Sequence, residues 1–181
     1  MSHAKNKVGW CLRKAEKELK KGEKHRGLVE TEANIEKAKE HIKKAEHYLE
    51  ATDYLKRGNF SDISASTVFY SMYHCLLAIA RKFGYEGRNQ ECTFALIGSL
   101  IEDKRIDFDI ELLNKIASLD IKEENTSIEI REKYQYGTSL SIQDNLYDEL
   151  FELAKKVISK TKEIIEEEIT TIKNDSINIQ K

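Results

Sequence analysis

From Ser64 to Ala80 the chain carries no Asp, Glu, Lys or Arg, although 34% of all its residues are charged. A run of that kind must be buried over most of its circumference, which makes it the central element of a core. It nevertheless contains Tyr70, Ser71, Tyr73 and His74. Polar groups of this kind cost free energy to bury unless each finds a partner. The segment Phe69 to Ala78 is therefore either a satisfied core network or the wall of a site.

The surrounding sequence favours helix. Among 181 residues there is no proline, where an average usage of roughly 5% would give about nine. Proline breaks helix interiors, so its absence beside abundant Lys, Glu, Ile and Leu argues for long helices. The expected fold class is all-α, an up-and-down bundle of five to seven helices with an N-terminal helical extension. No uninterrupted apolar run reaches the roughly 18 to 20 residues of a membrane span, and residues 1–7 lack the apolar centre of a signal peptide. Cys11, Cys75 and Cys92 are odd in number and widely spaced. They support neither a disulfide framework nor a zinc site, and a reducing cytoplasm is the expected location. Cys75, inside the apolar run, reads as a small core residue.

Charge is uneven along the chain. Residues 1–27 hold nine Lys or Arg against three Glu, and residues 59–181 hold 15 basic against 22 acidic residues. A basic arm on an acidic body suits phosphate or another acidic surface.

Apolar spacing predicts a helix over about 5–21, with Val8, Leu12, Ala15 and Leu19 on one stripe. A second is expected over about 30–57, and a third from N-cap candidates Ser61 and Asp62 to Phe83. A fourth spans about 90–103, and a shorter one after Asp109 carries Ile110, Leu112, Leu113, Ile116 and Leu119. Residues 120–127 read as a loop, and 127–136 as helix or irregular structure. Ser141 with Asp144 resembles a capping box that opens a long last helix. The organisation read this way is a basic extension over 1–29, a bundle over 30–172 and a flexible tail over 173–181.

Several groupings carry chemistry. On a helix His74 shares a face with Thr67, Tyr70, Ser71, Leu77 and Arg81. It fits a proton-transfer group near neutrality or a hydrogen-bonded core histidine. Metal binding is not expected, because no carboxylate accompanies His74 and the spacings from Glu36 and Glu40 to His41 and His47 are wrong for a bundle metal site. His41 and His47 read as solvated. The Gly84 to Cys92 link places Arg88, Asn89 and Gln90 before a helix N-terminus, where an anion can dock; Asn89 can equally be a cap. Arg131 and Tyr134, three residues apart, suit phosphate and base contact or a structural cation–π pair.

With those residues assembled, the chain resembles the HEPN-domain family, prokaryotic nucleotide-binding helical bundles also found in sacsin-type proteins. The resemblance covers about residues 30–168. It rests on Ala65-Ser-Thr-Val-Phe-Tyr-Ser-Met-Tyr-His-Cys-Leu-Leu-Ala78, similar to that family's "YYAMFH" helix, followed in order by the Gly84-Tyr-Glu-Gly-Arg88 link, the Arg131 to Gly137 element and a long C-terminal helix. It implies a homodimer with His74 in a shared cleft, nucleotide or RNA as ligand, no cofactor, and a minimal nucleotidyltransferase as partner in a toxin–antitoxin pair. Active members are metal-independent endoribonucleases with Arg-x(4–6)-His on this helix. Here the corresponding positions are Thr67, Val68 and Phe69, so the family arginine is absent. Threonine cannot neutralise a phosphorane. The expectation is a binder without efficient catalysis, with Thr67, Tyr70, Ser71 and His74 lining the cleft and Arg88, Asn89, Arg131 and Tyr134 as ligand contacts. The alternatives are an endoribonuclease using His74 with another arginine, and a non-catalytic assembly module.

Overall fold

In the computed structural model, which describes residues 2–117 and 126–167, the chain forms seven helices: α1 (His3–Lys20), α2 (Ile35–Arg57), α3 (Ser61–Lys82), α4 (Gln90–Glu102), α5 (Ile110–Ile116), α6 (Ser127–Tyr136) and α7 (Asp144–Glu166). The all-α bundle is thus as expected. The tail from Lys173, Leu119 and most of the 120–127 loop lie outside the described residues.

Burial follows from the charge-free run. Phe69, Met72, Cys75, Leu76 and Ile79 are fully buried on α3, against Leu96 and Ile97 of α4, Leu113 and Ile116 of α5 and Ala154 and Val157 of α7. Each large side chain sequestered this way contributes about 1.5–3 kcal/mol. Cys75 is the small core residue expected, and burial pushes its thiol up to about 12. By length and composition alone α3 is long and apolar enough to cross a membrane, and 61% of its apolar window is buried among the other elements.

Local signals differ from expectation at several ends. Helix α2 begins at Ile35, capped by Asn34, whose side chain accepts from Lys37 N. The preceding Leu28–Glu30 is instead a strand, β1, paired antiparallel with β2 (Tyr85–Gly87). Gly84, just before β2, sits at φ 77°, and a Cβ there would come within 2.7 Å of Thr31 O. Ser61 and Asp62 do not cap α3. Phe60 occupies the N-cap position, and the Ser61 hydroxyl accepts from Ile142 N at 3.1 Å, tying the α6–α7 link to α3. Ser141 likewise makes no capping box, because α7 starts after Gln143 without a side-chain cap. The segment of ambiguous pattern is helix α6, and its box is formed by Thr126 and Glu129.

The cysteine expectation is overturned: Cys11 of α1 and Cys92 of α4 form a disulfide. Spacing along the chain is no guide here, because β1–β2 pairing and the apolar stripe of α1 bring two helices together that are distant in sequence. Helix α1 therefore packs on α4 rather than projecting. Buried Lys82, at the end of α3, donates to the carbonyls of Ile164 and Glu167, satisfying the C-terminal end of α7.

Candidate functional site

The α2–α3 hairpin is the most extensive helix pairing in the molecule. Both chains run away from the Gly58–Asn59 turn, where Asn59 adopts φ 64°. Positions at similar distance from that turn meet across the interface. The Ser71 hydroxyl donates to Ala45 O at 2.8 Å. Thr52 Oγ1 lies 2.8 Å from both Tyr48 O and Thr67 Oγ1, and Thr67 Oγ1 donates to Ser64 O at 3.1 Å.

These bonds place two expected cleft residues inside the packing. Ser71 is fully buried and has no face toward a ligand. Thr67 spends its hydroxyl on Thr52 of α2 and on Ser64 O of its own helix.

His74 meets a residue that the sequence reading put in solvent. Its Nδ1 lies 3.0 Å from His41 Nδ1, and both rings are half-buried. One nitrogen must donate and the other accept, so each ring carries its Nδ1 share of one hydrogen bond. The two Nε2 atoms make no bond within the described protein. His74 stacks on Tyr48 at 5.5 Å between centroids, Tyr48 meets Tyr70 at 5.8 Å, and Tyr70 meets Phe69 edge-on at 5.5 Å. The result is a continuous row of rings along the hairpin, of which His41, Tyr48, Tyr70 and His74 are half-open to solvent. His47, by contrast, is exposed as expected.

The charges around the imidazoles are mostly positive. Burial lowers His74 to about 4, with the charges of His41 and Lys44 acting in the same direction. His41 is also lowered, first by burial and then by Arg81 and Lys37, against an opposing contribution from Glu40. Lys44 lies 5.0 Å over the Tyr48 ring. Such a setting disfavours a bound cation and favours an anion. Among the described residues, no group of three or more His, Cys, Asp or Glu is arranged to hold a metal.

Arg81 connects this row to β2. It bonds Glu86 at 2.8 Å, Arg88 bonds the other Glu86 oxygen at 2.8 Å, and His25 Nε2 lies 3.5 Å from that same oxygen. Burial alone would raise the Glu86 carboxyl, but the hydrogen bonds and charges of Arg88 and Arg81 prevail and hold it at about 2. Arg88 is thus paired rather than free. Asn89 caps α4 by accepting from Cys92 N at 3.0 Å. Both line a groove of about 480 Å³ with Gln90, Phe94 and Ile128. A separate groove of about 660 Å³ lies between Glu46, Glu50 and Asp53 of α2 and Lys155 and Lys162 of α7.

Arg131 and Tyr134 separate from the histidines. Arg131 is only 7% exposed, sits 5.0 Å over the Phe69 ring and bonds Glu132 at 2.9 Å. Its buried guanidinium, held over Phe69 and paired with Glu132, packs α6 on α3. Tyr134 is half-buried and packs against the core. The structure therefore gathers Tyr70, His74 and Arg81 of α3 with the unforeseen His41 and Tyr48 of α2. The missed signal was positional: His41 and His74 are nearly equidistant from the Gly58–Asn59 turn. In comparisons with known proteins, no family model and no curated protein matches this chain.

Proposed function

We propose that this chain is a HEPN-like helical bundle that binds nucleotide or RNA along the α2–α3 row and does not cleave it efficiently. The observation that supports this reading is the His41–His74 pair, half-open, flanked by stacked tyrosines and surrounded by Lys37, Lys44 and Arg81. Rings of this kind take bases by stacking, and the cations favour phosphate. An anion beside the two imidazoles makes their protonated forms more favourable, so binding takes up protons. Affinity for oligouridylate should rise as pH falls from 8 toward 5, and His41→Ala with His74→Ala should remove most of that dependence. Fluorescence anisotropy of a labelled oligonucleotide reads both. A pH-independent affinity that survives both substitutions would sink the proposal.

Catalysis is weak in this reading because Thr67 stands where a charged group is needed and is bonded to Thr52. The half-open side of α3, including Ile63 at 47% exposure, is where a second copy would pack in a homodimer, or where a nucleotidyltransferase-type partner would dock. Sedimentation of the unaltered chain and of Ile63→Glu tests the first of these.

A second reading, a metal-independent ribonuclease, rests on Arg81, whose charge acts on His41. It requires cutting of single-stranded RNA in EDTA that disappears in both His74→Ala and Arg81→Gln. An intact substrate after prolonged incubation leaves binding alone.

A further inference from the structure

Helix α1 spends its apolar stripe on the body of the protein. Ala4, Cys11 and Ala15 are buried, Val8 and Leu12 pack against the core, and the disulfide to Cys92 fixes the helix on α4. Its outer face is left with Trp10, Arg13, Lys14 and Lys17, which the helical spacings of three, four and seven place side by side. Trp10, the sole tryptophan of the chain, is 44% exposed. Exposing a large ring at the centre of a surface helix is unfavourable for folding, and its setting here is cationic. Lys7 Nζ lies 4.6 Å and Lys14 Nζ 5.2 Å from the indole centroid. Lys7 also pairs with Glu91. Arg13, Lys14 and Lys17 meet no carboxylate among the described residues, whereas the acids of α1 are engaged: Glu16 with Lys20, and Glu18 with Arg26 N.

We propose that the outer face of α1 is a second surface for single-stranded nucleic acid, with a base stacked on Trp10 and the adjoining phosphates held by Arg13, Lys14 and Lys17. This goes beyond a diffuse attraction of the basic arm for phosphate, because it names the stacking platform and the partner. It does not rest on the α2–α3 row, which lies in a different helix pairing. The face suits a strand better than a lipid surface. An interfacial helix needs an apolar face to bury among acyl chains, and that face of α1 is already covered by α4. A single flat ring between cations is instead the arrangement by which a base and its flanking phosphates are taken together without regard to sequence.

The tryptophan reports its own site. Oligouridylate titrated into the full chain at low salt should quench the indole emission saturably, with a midpoint that moves to higher concentration as salt rises. Trp10→Ala should weaken binding of a labelled oligouridylate roughly five- to hundredfold, and Trp10→Phe should recover much of that loss. Lys14→Gln with Lys17→Gln should reduce the slope of log affinity against log salt by about 1.4, roughly 0.7 for each cation removed. Oligonucleotide that saturates the protein without changing the indole emission overturns the proposal. So does Trp10→Ala binding as tightly as the unaltered chain. A larger emission change with phosphatidylglycerol vesicles than with oligouridylate also overturns it, and assigns the face to membrane instead.

Discussion

Two helix pairings in this molecule are closed by different means. Between α1 and α4 the contact is made of a disulfide and small residues, and beside it Gly27, just ahead of β1, leaves room for the Cys11 carbonyl. Its polar contributions, Lys5–Asp103 and Lys7–Glu91, are at the surface, where ion pairs contribute little. Between α2 and α3 there is no covalent link. Hydroxyls bonded across the hairpin and a row of rings hold it, and at the imidazoles the donors and acceptors outnumber the bonds they make. A closed pairing with nothing left over serves as scaffold. One that ends in half-open rings and unused nitrogens is equipped to meet a ligand.

The difference can be broken or sharpened by substitution. The largest effect is expected at the covalent pairing. Cys11→Ser with Cys92→Ser opens a loop of 81 residues and should lower unfolding free energy by about 4 kcal/mol. Denaturant titration measures this, and a loss far below it would mean that β1–β2 and the α1 stripe hold the pairing without help. Next comes Gly27→Val. Its Cβ would lie 2.4 Å from Cys11 O and 3.2 Å from the Ala15 Cβ, and forced overpacking should cost about 1–3 kcal/mol. In the hairpin, Ser71→Ala and Thr52→Val should each cost about 1 kcal/mol. A double-mutant cycle of Thr52 and Thr67 should show coupling, while Ser71 and Thr52 should add independently. The smallest effect is one of pH. His74 titrates near 4 when folded and near 6.5 when unfolded, so the unfolded chain binds more protons in that window. Stability should therefore decline as pH falls from about 6.5 toward 4, less steeply than the shift alone suggests because the ring is half-open. His74→Gln should flatten the decline; an unchanged slope would place its origin elsewhere.

The bundle itself was legible because long apolar stripes carry a helical period and the charge-free run Ser64–Ala80 pointed to the core, where α3 lies. What escaped was short or relational. Strands of three residues have no period to detect, so β1 and β2 went unseen and α2 was begun at Glu30, the last residue of β1. Ser61 looked like a cap because its type is right, yet its hydroxyl is claimed by Ile142 N, a partner remote in sequence. Arg131 and Tyr134 are spaced for one face of a helix, but spacing does not say whether that face meets solvent or Phe69. His74 was visible as a polar residue in an apolar run. His41 was not, because on α2 it sits among lysines and glutamates, and only the pairing of the two helices reveals it.

The disulfide has a mechanical consequence. Cys11 and Cys92 bracket β1, both hairpin helices and β2, so His41, Tyr48, His74, Arg81 and Glu86 all belong to one covalent ring of chain. A force applied between the two termini passes from Cys11 directly to Cys92 and bypasses that ring. Stretched to its limit, the oxidised molecule should stop about 280 Å short of the reduced one. The tether thereby shields the α2–α3 row from tension that would unravel α5, α6 and α7 first.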